Sequence, residues 1–194
     1  IMAKVGGAVG GASTATQAGA NSSKFNDIDK KYQFYKEIHK LTDKGVIKGY
    51  GDGTFRASDK VTRAQAATLI ANALQLDLTV IKEPKFKDVS TKNSHYRAIA
   101  KLTELGVFKN SDAFKPNRSL TRAQMAKILV EAFELQASSV KQYDDVKVAE
   151  SAHYIGIIGG LNITTNVGKF NPSGEITRGQ LAAFLDRTIT VKRS

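Results

Sequence analysis

From Lys24 onward the sequence repeats itself three times. The tetrapeptides Thr62-Arg63-Ala64-Gln65, Thr121-Arg122-Ala123-Gln124 and Thr177-Arg178-Gly179-Gln180 mark equivalent points, 59 and 56 residues apart. Each threonine follows an aromatic residue, Phe55, Phe114 or Phe170, by seven positions. Self-similarity at such a period is the mark of repeat architectures, in which a unit too small to bury its own apolar face must pack on its neighbours. The chain divides into a leader (1–23) and repeats at 24–84, 85–141 and 142–194, with 24–194 expected to form one structural unit.

Each repeat reads as helix, loop, helix. The second helix carries Ala66, Leu69, Ile70, Ala73 and Leu74 in repeat one, and Met125, Ile128, Leu129, Ala132 and Phe133 in repeat two. In repeat three the matching residues are Leu181, Phe184, Leu185 and Ile189. This i, i+3, i+4, i+7 spacing predicts an amphipathic helix with one apolar stripe. The first helix carries Tyr35, Ile38 and Leu41, matched by Tyr96, Ile99 and Leu102, and then by Ile155 and Ile158. Gly45 and Gly106 are placed to end it. The fold class expected is all-α: three helix-loop-helix repeats in one pseudo-threefold body.

Composition narrows the function. Lys and Arg total 29 against 18 Asp and Glu, a net charge of +11, which points to an acidic partner. The absence of cysteine removes disulfides, thiol nucleophiles and thiolate metal sites. No run of about 18 apolar residues is present, so no transmembrane segment is expected. Residues 1–20 are rich in Gly, Ala, Ser and Thr and end in Ala18-Gly19-Ala20. That pattern suits either the tail of a signal peptide or a flexible linker. Gly49-Tyr50-Gly51-Asp52-Gly53 resembles a tight glycine turn; a calcium loop would need several oxygen ligands and only Asp52 is acidic there, so no metal or cofactor is expected.

The repeated tetrapeptide carries two messages. Thr followed three residues later by Gln is a capping box, which accounts for Thr62 with Gln65, Thr121 with Gln124 and Thr177 with Gln180. It does not account for Arg63, Arg122 and Arg178. Each falls at the first helical position, where a cation opposes the helix dipole at a cost of roughly 0.3–1 kcal/mol. An arginine beside free N–H groups at a helix N-terminus makes an anion site, and a guanidinium matches a carboxylate with two parallel hydrogen bonds. The competing explanation is a salt bridge to Asp27, Asp88 or Asp145 of a neighbouring repeat.

Further motifs recur in order around it: Phe25-Asn26-Asp27-Ile28 and Phe86-Lys87-Asp88-Val89, Gly45-Val46-Ile47-Lys48-Gly49, Asp52-Gly53-Thr54-Phe55, and Val61-Thr62-Arg63-Ala64-Gln65 with Leu120-Thr121-Arg122-Ala123-Gln124. From Lys24 to about Lys192 the chain resembles three tandem S-layer-homology repeats. The resemblance implies a three-pronged spindle around a central helix bundle. Its inter-repeat grooves would hold anionic secondary cell-wall polysaccharide through a sugar bearing a pyruvate ketal. The implied binding residues are Arg63, Arg122 and Arg178, with Lys48 and Lys109 added at equivalent loop positions. It further implies a secreted protein of the cell wall or S-layer of a Gram-positive bacterium, with a C-terminal cargo domain outside this chain.

The departures from the pattern matter. The family's tryptophan early in the first helix is missing, and Tyr35, Tyr96 and Tyr154 are the expected substitutes. Repeat three lacks the Asp-Gly-Thr loop and has Asn162 for Gly, Thr165 for Lys and Gly179 for Ala. Its arginine, Arg178, is therefore expected to matter least. Two rivals remain. His39, His95 and His153 fall in three different repeats, which argues against catalysis in this chain, although it could be the non-catalytic part of a wall hydrolase. The net charge would suit nucleic acid, but no second helix clusters basic residues on one face, so a nucleic-acid partner is not expected.

Overall fold

The computed structural model describes residues 23–193, so the leader expected at 1–23 lies almost entirely outside the described residues. The described residues form six helices and no strand: α1 (Tyr35–Asp43), α2 (Arg63–Ala73), α3 (Tyr96–Glu104), α4 (Arg122–Phe133), α5 (Ala149–Gly160) and α6 (Arg178–Lys192). The chain is all-α.

Local sequence explains each boundary. The second helices begin at capping boxes: the Thr62, Thr121 and Thr177 hydroxyls accept from the backbone N–H of Gln65, Gln124 and Gln180, whose side chains accept from the threonine N–H in return. The first helices end where Gly45 and Gly106 turn left-handed, at φ 68° and 81°. Asn162 does the same in repeat three at φ 56°. Asparagine tolerates that conformation better than most residues, so the change from glycine keeps the turn.

The second helices are not the one-sided amphipathic helices expected. Their apolar stripes are buried except for the partly covered Ala73, Leu74 and Ala132, but so are Ala64, Ala67 and Ala71 on α2, Ala126 on α4, and Ala182 and Ala183 on α6. The alanines face neighbouring elements closely, so these helices are covered on several sides and form the centre. Each first helix packs instead on the second helix of another repeat: α3 on α2, α5 on α4, and α1 on α6. The last pairing joins the first repeat to the third.

Each joint has its own polar contacts. At α1–α6, Lys40 Nζ lies 2.8 Å from the buried Asp186 carboxylate and Arg187 pairs with Glu37 at 3.3 Å. At α2–α3 the Thr68 hydroxyl meets His95 Nδ1 at 2.8 Å. At α4–α5 the Tyr154 hydroxyl donates to Glu131 at 2.6 Å and Lys127 pairs with Glu150. Because these pairings differ in kind, a helix docked on the wrong partner would leave charges unmatched.

Backbone hydrogen bonds connect the repeats at the other end of the bundle. Val61 N–H donates to the Ile176 carbonyl at 3.1 Å, Ile176 to Leu120 at 2.9 Å, and Leu120 to Val61 at 2.9 Å. The three bonds close on themselves, and all three side chains are fully buried. Core residues from Phe25 to Ile189 form one contiguous apolar cluster around and below this ring.

Helix α5 shows how a connection is accommodated. Gly156, Gly159 and Gly160 face the segment 137–143 that crosses the helix. A β-carbon on Gly160 would stand 1.9 Å from the Ser139 carbonyl oxygen, and one on Gly159 would stand 2.7 Å from the Tyr143 hydroxyl. Glycine inside a helix costs roughly 0.5–1 kcal/mol relative to alanine, and the close crossing is what that cost permits. Gly160→Ala should therefore destabilise the protein by about 1–3 kcal/mol in urea unfolding, because overpacking against backbone outweighs the propensity gain. A stabilised variant would show that the crossing yields more easily than its geometry implies.

Candidate functional site

Every junction is built from the same parts. Asp27, Asp88 and Asp145 each accept two successive backbone N–H groups from the loop of their own repeat. Asp27 takes those of Phe55 and Arg56, both at 2.7 Å. Asp88 takes Phe114 and Lys115 at 2.8 and 2.7 Å, and Asp145 takes Phe170 and Asn171 at the same distances. The grip holds Arg56, Lys115 and Asn171 left-handed, at φ 59°, 61° and 61°. The carbonyl of each preceding phenylalanine then accepts from an arginine. Arg63 Nε donates to Phe114 at 2.9 Å, Arg122 Nε to Phe170 at 2.8 Å and Arg178 Nε to Phe55 at 3.0 Å. The same guanidinium carbons lie 4.7, 4.5 and 4.8 Å from the centres of those three rings, within cation–π range.

Each arginine thus reaches across to the following repeat, and Arg178 reaches back to the first. This changes which side chains share a groove. Lys109, exposed and next to Phe108, lies at the junction of Arg63. Lys48 lies at the junction of Arg178, whose Nη2 donates to the Lys48 carbonyl at 3.0 Å. At the Arg122 junction, Thr165 and Asn166 stand in their place, and Arg122 Nη2 donates to Asn166 at 3.1 Å. A cavity of about 210 Å³ opens there, lined by Arg122, Arg187, Gln180, Phe34 and Phe184 among others. The expectation that repeat three forms the poorest groove paired each arginine with its own repeat's loop. By loop composition, the lysine is missing beside Arg122, not beside Arg178.

The arginines also differ in what they leave unused. Arg122 and Arg178 are both 7% exposed, and each makes a second hydrogen bond through Nη2. Arg63 is only half-buried, and among the described residues its terminal nitrogens donate to no protein group. Burial lowers the pKa of all three from the usual arginine value. A guanidinium remains protonated all the same. Poor hydration there strengthens its attraction to any carboxylate that reaches it.

Two sequence expectations need correction. The helix N-termini do not offer free N–H groups. Arg63 and Ala64 donate to the Arg118 and Pro116 carbonyls, Arg122 and Ala123 to Gly174 and Pro172, and Arg178 and Gly179 to Asp59 and Ala57. The neighbouring loop fills the anion position with carbonyl oxygens, so any ligand must be held by side chains. Asp27, Asp88 and Asp145 form no salt bridge with the arginines, because their oxygens are taken by loop amides. Of the tyrosines expected to stand in for tryptophan, Tyr35 stacks on His39 at 4.0 Å, Tyr96 is buried, and Tyr154 bonds Glu131. The histidines stay apart, His39 against Tyr35 and Ser23, His95 on Thr68 and His153 edge-on to Tyr154. Among the described residues no cluster of His, Asp or Glu could hold a metal ion.

Two aromatic residues escaped the sequence reading. Tyr50 lies beneath both Arg56, at 3.9 Å, and Arg178, at 4.9 Å. The Tyr32 hydroxyl occupies the space beside Gly179, 2.4 Å from where an alanine β-carbon would be. Gly179 is therefore the counterpart of Tyr32, a large residue in repeat one matched to a missing methyl in repeat three. That pairing becomes visible only once repeats one and three are known to touch.

Six helices in three repeats, joined by capping boxes and cross-repeat arginines, define a repeat-built, all-α module whose conspicuous chemistry lies at its junctions. The family model for the S-layer homology domain matches residues 24–67 and 85–126. The first and second repeats are S-layer homology repeats. The chain is 38% identical over 88% of its length to the surface-layer 125 kDa protein of Lysinibacillus sphaericus, covering 15% of that protein. It is 28% identical over 91% of its length to an S-layer protein of Bacillus thuringiensis subsp. finitimus, covering 22% of it. It is also 31% identical over 87% of its length to an uncharacterized cell wall amidase of Bacillus anthracis, covering 32% of it. The chain thus spans between about a seventh and a third of these relatives.

The aspartate grip gives the site a pH signature. The Phe170 N–H, then against it the cost of burial, then the Asn171 N–H set the Asp145 carboxyl, and the balance holds its pKa below the usual range. A carboxyl depressed on folding stabilises the protein above its unfolded pKa, about 3.9, and loses that contribution as pH falls through the lower folded value. Asp145→Asn should therefore be less stable than wild type by a constant margin between about pH 5 and 7, and the margin should shrink below about pH 4. Urea unfolding at pH 6 and pH 3 checks this. A margin independent of pH would contradict the ionised grip.

Proposed function

We propose that the chain anchors a longer protein at the bacterial cell surface by binding anionic secondary cell-wall polysaccharide, with the carboxylate of a pyruvate ketal held by Arg63. The two S-layer homology repeats and the likeness to S-layer proteins support wall anchoring in general. The observation that carries the finer reading is the Arg63 side chain. Its Nε is fixed on the Phe114 carbonyl and its guanidinium carbon lies over the Phe114 ring, while its terminal nitrogens remain available. A guanidinium fixed in this way presents two parallel donors, the geometry a carboxylate accepts. Lys109 adds a mobile cation at the same junction, and Arg118 is near enough to lower the Arg63 pKa further.

Arg122 and Arg178, with two bonds each to the protein, serve first as ties between repeats and second as ligand contacts. Lys48 joins Arg178 in a second, weaker groove. The likeness to a cell wall amidase fits the same reading, with this module as the wall-binding part and chemistry carried elsewhere in such proteins. The module works outside the cell, on the wall or S-layer of a Gram-positive bacterium, alongside a cargo domain.

Arg63→Ala should weaken binding to purified wall glycan by about ten- to a hundredfold, the worth of one charge-assisted hydrogen bond. Arg63→Lys should recover part of that, keeping the charge without the planar fork. Arg122→Ala and Arg178→Ala should first lower folding stability, by about 1.5–3 kcal/mol. The direct test is calorimetry on matched glycans with and without the pyruvate group. Strong preference for the pyruvylated glycan, lost in Arg63→Ala, is the expected result; equal affinity for both glycans would overturn the carboxylate reading.

A further inference from the structure

At the end of the bundle away from the capping boxes, the C-terminal ends of α2, α4 and α6 surround a cavity of about 330 Å³. Its apolar lining comes from Val46, Ala73, Leu74, Phe133 and Ile189, with each central helix contributing at its end. Lys44, Lys192 and Arg193 line it as well, all three exposed. No acidic residue lines the cavity, and none of these cations forms an ion pair among the described residues.

Helix dipoles explain each cation singly, since Lys44 and Arg193 cap α1 and α6 and Lys192 lies in the last turn of α6. They do not explain an apolar floor, with Leu74 only partly covered, beneath a rim of one sign. A hydrated glycan would gain little from Leu74, Phe133 and Ile189. The volume lies at the low end of ligand pockets, about 300–1,000 Å³. Three cations around one rim match an occupant carrying several carboxylates, such as a peptide, better than an acyl anion carrying one.

We propose that this pole is a docking site for an acidic peptide segment that inserts one leucine or phenylalanine side chain and sets carboxylates against Lys44, Lys192 and Arg193. The site is separate from the junction grooves, and the proposal stands whether or not Arg63 binds a glycan. The apolar anchor supplies the contact and the rim supplies orientation and attraction, as at interfaces where a central anchor is ringed by polar residues.

The probe is a fluorescein-labelled peptide with one central phenylalanine flanked by two glutamates on each side, titrated against the full chain. Counterparts carry lysine for glutamate, or alanine for phenylalanine. Binding should move the methyl signals of Leu74 and Ile189, and either counterpart should bind at least tenfold more weakly. Raising salt from 50 to 500 mM should weaken the acidic peptide, because exposed charges are screened. The combined variant Lys44→Gln, Lys192→Gln, Arg193→Gln should lose the peptide and keep its binding to wall glycan, with its melting temperature lowered by no more than the loss of three helix-end charges costs. No methyl shift, or binding indifferent to charge and anchor, would overturn the proposal. Laurate moving the same methyls while the peptide does not would overturn it in favour of an acyl anion.

Discussion

Three backbone hydrogen bonds, Val61 to Ile176, Ile176 to Leu120 and Leu120 to Val61, hold the rest in place. Each lies directly before a capping threonine, so it fixes where a central helix begins. Each is buried, and a buried amide or carbonyl left without its partner costs about 1–3 kcal/mol. A junction therefore cannot open slightly. Opening one also releases the two first-turn amides of a helix from the neighbouring loop, together with the arginine Nε bond beside them. The ring makes the three junctions depend on one another, although the repeats follow each other along the chain.

The same arrangement resolves a conflict posed by the arginines. A cation at the first helical position works against its own helix. The structure offsets that cost with carbonyl oxygens brought in by the next repeat: one for the arginine Nε, one for its backbone amide and one for the amide after it. An anion need not be present for the helix to form. Binding capacity then depends on what is left over after this structural work. Arg122 and Arg178 retain little, being buried and bonded twice, whereas Arg63 retains its terminal nitrogens. One residue type, copied three times, has come to lie in three different states of commitment.

Much of this was legible in the sequence because it is local. The capping boxes at Thr62, Thr121 and Thr177 follow from a three-residue spacing, and the left-handed turns at Gly45 and Gly106 from residue type. The buried faces of the first helices follow from periodicity at Ile38, Leu41, Ile99 and Leu102. What could not be read was the order of contact between repeats. Nothing local reveals that Arg63 reaches Phe114, or that α1 meets α6. Pairing each arginine with its own repeat's lysine was a natural reading, and it misassigned the grooves. The helix amides looked available for the same reason, since the carbonyls that fill them come from residues about 50 or 120 positions away. The glycine face of α5 escaped notice because its cause is a crossing segment, not a turn.

Native-state hydrogen exchange at the Val61, Leu120 and Ile176 amides tests the closed ring most directly. If the three bonds form one interdependent closure, these amides exchange only through global unfolding. Their opening free energies should then equal one another and equal the value from urea denaturation. Ile176 or Val61 exchanging through a smaller opening, with Leu120 still fully protected, would show that the first and last repeats part independently and would contradict the account.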